Sequence, residues 1–119
     1  MKIDTTTRAV VLDVEGTLAR FDGDQQLFQD IIGFFLEDSP PLWNELKQSV
    51  AAENESEVRS AAHALKGLAA GCGGMRAAQA AQRVETAGAD GDLENIDALM
   101  TDLESELEQL QHAAARYQS

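Results

Sequence analysis

A chain of 119 residues makes one domain, and at that length about two-thirds of the surface exposed on unfolding is buried. Its net charge of −12 argues against nucleic acid, whose binders meet phosphates with cations. A lone cysteine, Cys72, excludes an internal disulfide and fits a reducing compartment. No apolar run approaches about 18 residues, so no membrane insertion is expected. Met1-Lys2 is followed by Ile3-Asp4-Thr5-Thr6-Thr7, which lacks the apolar centre of a signal peptide, and a cytoplasmic protein is expected.

In chain order, residues 1–8 are polar and read as a flexible tail before a helical domain spanning 9–116. From Arg8 to Phe21, Val11, Val14, Leu18 and Phe21 recur at helical spacing and predict a short helix, weakened by Gly16-Thr17. Asp22-Gly23 forms a turn and Asp24 can cap the next helix. Leu27, Ile31, Phe34 and Phe35 then make one inward stripe of that helix, which ends near Asp38. Ser39-Pro40-Pro41 punctuates: Ser39 can cap a new helix, and proline is tolerated in a first turn whose N–H groups lack partners. This new helix carries Leu42, Trp43, Leu46 and Val50, with Trp43 read as a core or edge anchor. After a break at Ala51–Glu55, Asn54 with Glu57 three residues on resembles a capping box. It opens a helix closed by Gly71, Gly73 and Gly74, one of the last two in the left-handed conformation. Cys72, near this helix end, reads as a small core residue. Met75 to Ala87 is the next helix, with Ala77, Ala80, Ala81 and Val84 inward and small enough for close approach; Gly88 to Gly91 closes it. Leu93, Ile96, Met100, Leu103, Leu107 and Leu110 define the last, whose other face is acidic and solvated. The tail from Ala113 is expected to fray. Four main helices on short loops predict an all-α, up-down-up-down antiparallel four-helix bundle, with the short N-terminal helix across one end.

The functional signal lies in the helix from Val58 to Gly71. Val58, Ala61, Ala62, Leu65, Leu68 and Ala69 share one face. His63 points about 170° away from that face, at about 100° per residue, among Arg59, Lys66, Gly67 and Ala70. Gly67 is unexpected there, because glycine inside a helix costs about 1 kcal/mol relative to alanine. On an exposed face its use is close approach by a partner. Charge supports this reading: residues 58–84 hold Arg59, Lys66, Arg76 and Arg83 and no acid, whereas the remainder holds five cations and all 21 acids. A basic island centred on His63 would steer an acidic surface or hold a phosphoryl group.

His63-Ala64-Leu65-Lys66-Gly67 resembles the His-x-x-Lys-Gly signature of histidine-containing phosphotransfer (HPt) domains. The resemblance covers roughly residues 10 to 112: Gly23-Asp24, Leu27-Phe28 and Phe35-Leu36-Glu37-Asp38 match the first bundle helix, and Gly73-Gly74 and Val84-Glu85 come after them in the family's order. It implies that His63 accepts a phosphoryl group at Nε2 from a receiver-domain aspartate and passes it to another receiver. The neutral imidazole is the nucleophile, and a free imidazole is mostly neutral above about pH 6.5. Lys66 can offset the phosphoryl charge as a point charge. Glu85, or Gln82 one turn earlier, would orient the ring, and Arg59, Gly67, Ala70 and Arg83 would line the docking surface. Leu68 departs from the hydroxyl or small residue frequent after the glycine and is assigned to the core. The resemblance places no cofactor on this chain; Mg²⁺ belongs to the partner receiver. Partners are then response-regulator receivers or a hybrid sensor histidine kinase, and a monomeric phosphoryl carrier is expected rather than an autonomous enzyme, with no kinase ATP site in the sequence.

Two other readings compete. The same bundle could dock receivers without chemistry, but a pure binder does not need His63. Asp13-Val14-Glu15-Gly16-Thr17 resembles the Asp-x-Asp/Glu-Gly-Thr motif of haloacid-dehalogenase-like phosphatases, but that chemistry needs the end of a buried parallel strand and further βα units, which nothing downstream supplies. His112, four residues after Glu108, reads as an exposed ion-pair partner. No metal site is expected, since neither histidine has the close carboxylate or thiolate ligands one needs.

Overall fold

The computed structural model describes residues 10–118, and no strand occurs among them. Among the described residues five helices occur in order: α1 Val14–Arg20, α2 Gln25–Ala51, α3 Glu55–Gly71, α4 Met75–Asp90 and α5 Ile96–Gln118. Each long helix packs on the next in sequence, and α2 closes against α5. The short connections make neighbours antiparallel, giving the expected four-helix bundle. Phe28, Ile32, Phe35 and Leu46 of α2 meet Val58 and Leu65 of α3, the alanines and Val84 of α4, and Leu103, Leu107 and Leu110 of α5 in one core.

The caps at Asp24 and Asn54 form where the sequence places them. Asp24 accepts the Leu27 N–H at 3.0 Å and Asn54 the Glu57 N–H at 3.2 Å, satisfying donors that a helix start leaves without partners. At the end of α3, Gly73 takes φ +94°. The Gly73 and Gly74 N–H groups close back on the Ala70 and Ala69 carbonyls at 3.1 and 2.8 Å, the Schellman pattern. Cys72 is buried there, and burial pushes its thiol up to about 11.

Several expectations are corrected. The first helix begins at Val14, not near Arg8; Arg8 and Ala9 lie outside the described residues. Asp13 ends the irregular segment by capping Gly16 N–H at 3.0 Å while its own N–H donates to the Gly73 carbonyl at 3.0 Å, a bond that ties it to the α3–α4 turn. Thr17, buried, donates to the Asp13 carbonyl at 2.6 Å. The Asp-x-Glu-Gly-Thr run is therefore a helix start latched to a loop, not a strand-end catalytic motif.

The break expected at Ser39-Pro40-Pro41 is absent: α2 runs unbroken through both prolines. They delete the N–H partners of the Leu36 and Glu37 carbonyls, a cost of about 3 kcal/mol for an interior proline. Both rings face solvent, and the buried stripe Phe28, Ile32, Phe35, Ser39 and Leu46 continues in register across them. Packing on both sides of the site offsets that cost and keeps the helix continuous. Ser39 is no cap; it is fully buried, and its hydroxyl accepts from Gln111 Nε2 of α5 at 3.2 Å.

Helix α4 continues past Ala87 to Asp90 before Gly91, at φ +69°, closes it. The last helix begins at Ile96 rather than Leu93 and does not fray at Ala113: Ala114 is buried, and the Tyr117 ring lies 5.0 Å from that of Phe28. Leu27 and Phe34, expected inward, are 40% and 54% exposed. Trp43 is the edge anchor expected, half-buried with the Lys47 ammonium 5.9 Å from its ring centre.

Candidate functional site

Helix α3 presents His63 outward, opposite its buried Val58, Ala62, Leu65 and Ala69, with 66% of the side chain exposed. Helix α4 supplies its partner. Small residues keep the two helices close, and at Gly88 the backbones nearly touch: a Cβ there would stand 2.8 Å from the Arg59 nitrogen and 2.9 Å from the Glu55 carbonyl oxygen. One turn before Gly88, Glu85 reaches across, placing Oε2 2.9 Å from His63 Nδ1. Its Oε1 forms an ion pair with Lys66 Nζ at 2.8 Å. Lys66 also donates to Gln82 Oε1 at 2.9 Å, and Gln82 Nε2 donates to Thr86 Oγ1 at 3.1 Å. That last bond turns the amide so that its oxygen faces Lys66.

Glu85 is only 14% exposed. The Lys66 ammonium, with a further contribution from His63, holds its carboxyl below the usual range against the opposing effect of burial. An ionised carboxylate only accepts hydrogen bonds, so the contact requires the proton on Nδ1; in the neutral ring Nε2 is then the lone-pair nitrogen. A depressed carboxyl contributes stability above its ordinary value of about 4.3, and that contribution is lost as pH falls through the folded-state value. Glu85→Gln is therefore expected to lower stability at pH 7 by less than about 1 kcal/mol, the range of a solvent-screened pair. Thermal unfolding of both proteins should show the difference shrinking on acidification below about pH 4; a difference that grows with acid would contradict the ion pair.

Of the residues singled out in sequence, His63, Lys66, Glu85 and Gln82 converge, though Gln82 holds Lys66 rather than the imidazole. Gly67 is exposed with nothing within 4 Å of a Cβ placed on it, an open notch beside the ring. Arg59 is exposed one turn before His63, on the same side of α3. Ala70 is half-buried and presents its carbonyl to Arg20 at 3.4 Å. Arg83 is exposed but lies about 160° around α4 from Glu85, at about 100° per residue, and so turns away from the imidazole. Arg76 pairs with Glu106 at 3.0 Å. The basic island is thus partly neutralised, and α1 adds Arg20 to it.

Sequence reasoning missed the apolar side of this face. Pro41 and Leu42 of α2, flanked by Asp38 and Glu45, line a shallow groove with Ala64, Gly67 and Leu68 of α3, and Phe34 stands exposed one turn before Asp38 on α2. Phe34 next to Phe35 gave no local cue to which ring turns outward. No group of three or more histidine, cysteine, aspartate or glutamate side chains is arranged to hold a metal among the described residues. No helix there is long and apolar enough to cross a membrane.

An all-helical bundle with an outward imidazole that a carboxylate holds from behind is the arrangement of a phosphohistidine carrier. The Hpt domain model matches residues 30–113, and the chain belongs to that family, whose role is histidine phosphotransfer in two-component phosphorelays with receiver and kinase partners. Among solved structures, histidine-containing phosphotransfer protein B (HptB) from Pseudomonas aeruginosa PAO1 is similar at TM-score 0.83 and 20% identity, over 92% of this chain and 96% of that one. The HPT domain of a sensor hybrid histidine kinase from Shewanella is similar at TM-score 0.80 and 18% identity, over 90% and 92%. No curated protein sequence matches significantly.

Proposed function

We propose that His63 is the phosphoacceptor and that Nε2 is the atom phosphorylated. The observation that carries this reading is the 2.9 Å contact between Nδ1 and Glu85, which occupies one ring nitrogen and leaves the other toward solvent. In the transfer, the Nε2 lone pair attacks the phosphorus of an aspartyl phosphate on a receiver. The N–P bond forms as the P–O bond breaks, and the electron pair leaves on the aspartate carboxylate. The Nδ1 proton stays where it is, and Glu85 stabilises the positive charge the ring acquires. The reverse sequence delivers the group to a second receiver. Catalysis of this kind is positioning and electrostatics, with little covalent work for the carrier itself.

The exposed Phe34 and the groove beside Gly67 give a receiver an apolar footing, and Gly67 lets its acidic cleft come down on the ring. Mg²⁺ would reside in that cleft, and the relay would operate in the cytoplasm. Incubation with a phosphorylated receiver should place acid-labile, alkali-stable label on the wild type and none on His63→Gln. Label surviving in His63→Gln would remove the site from His63; docking without any label in the wild type would favour the alternative of a non-catalytic receiver-binding module.

A further inference from the structure

Two cations lie within one turn of His63 on its own helix, and they are placed differently. The Lys66 ammonium is parked on α4, 2.8 Å from Glu85 Oε1 and 2.9 Å from Gln82 Oε1, with Gln82 held in turn by Thr86. Withdrawing it toward a phosphoryl group on Nε2 would leave a largely buried carboxylate without its counter-charge. Arg59 is exposed and makes no ion pair among the described residues. It stands at the i−4 position, where a helical side chain neighbours the ring, and its guanidinium can engage two phosphoryl oxygens at once.

We propose a division of labour: Lys66 is a positioning residue that acts on His63 through Glu85, and Arg59 is the residue that meets the phosphoryl group. This rests on His63 being the phosphoacceptor. Thr86, Gln82, Lys66, Glu85 and His63 form one continuous chain of polar contacts, so displacement of Lys66 frees Glu85 to leave Nδ1, and the ring loses its fixed tautomer. Arg59 stands outside that chain and acts only once negative charge arrives on Nε2.

The test is a pair of double-mutant cycles read by the rate of label transfer from a phosphorylated receiver, together with ¹⁵N NMR of the His63 ring in the protein alone. Lys66→Met is expected to slow transfer about tenfold in the native background and less than about twofold when Glu85 is already Gln, since residues acting as a unit are not additive. Arg59→Gln should slow transfer by the same factor in both backgrounds. In the spectra, wild type and Arg59→Gln should show the Nδ1-protonated ring, and Lys66→Met a tautomer mixture. Equal loss from Lys66→Met in both backgrounds, or an unchanged tautomer in that variant, would overturn the proposal by making Lys66 a direct phosphoryl ligand. Because the tautomer is measured without a receiver, a wild type that takes no label refutes phosphotransfer at His63 without deciding the Lys66–Glu85 relation, which the spectra still confirm or refute.

Discussion

Replacing Gly88 with valine is expected to lower stability by about 3 kcal/mol and Tm by roughly 10 °C. The first atom of any side chain at this position would stand 2.8 Å from the Arg59 nitrogen and 2.9 Å from the Glu55 carbonyl oxygen. Those are backbone atoms inside a helix, so they cannot rotate aside; α3 and α4 have to separate. The gain in helix propensity on losing a glycine, about 1 kcal/mol at most, does not offset that. Separation should also reach the imidazole, because Glu85 lies one turn from Gly88 and spans the same gap to His63. Circular dichroism melting gives the first effect and the His63 ring ¹⁵N spectrum the second. A Gly88→Val protein with an unchanged Tm would mean the helices are not held at this distance.

Gly67→Leu should do the opposite to stability and much worse to transfer. Nothing lies within 4 Å of a Cβ at position 67, so the first side-chain atom of a leucine meets no neighbour and the helix gains up to about 1 kcal/mol. The same side chain would fill the notch proposed above as the receiver's route to His63. Transfer from a phosphorylated receiver is expected to fall at least about tenfold, equivalent to about 1.4 kcal/mol in the barrier, while the melting temperature rises. Transfer at the native rate would show that the notch is not an approach route. Two glycines on adjacent helices thus differ in what surrounds them: Gly88 admits a neighbouring backbone from inside the molecule, and Gly67 faces open space.

Much of the site could be read from sequence because its signals are local. The outward direction of His63 comes from the apolar stripe of its own helix, the start of α3 from Asn54, and its end from the run Gly71, Gly73 and Gly74. Features that depend on a second helix could not be read this way. Gln82 and Glu85 were both candidates to orient the imidazole; inter-helix register gives the imidazole to Glu85 and sets Gln82 on Lys66. Arg83 belonged to the basic run in sequence, but the turn of α4 directs it elsewhere. The unbroken α2 goes against a local rule about proline, and it is visible only as a buried stripe whose phase does not change at Pro40-Pro41. Arg20 joins the site from α1, 50 residues from Ala70, through a carbonyl contact that no motif encodes.

The openness of the imidazole has one more consequence. Among the described residues, no flap lies above a group carried on Nε2 and no cleft surrounds it, so it would stand in water, equally accessible to a donor and to an acceptor. Such a store has no valve. The sense of net traffic would then be set by how full the partners on either side are, and the carrier would equilibrate them without favouring one.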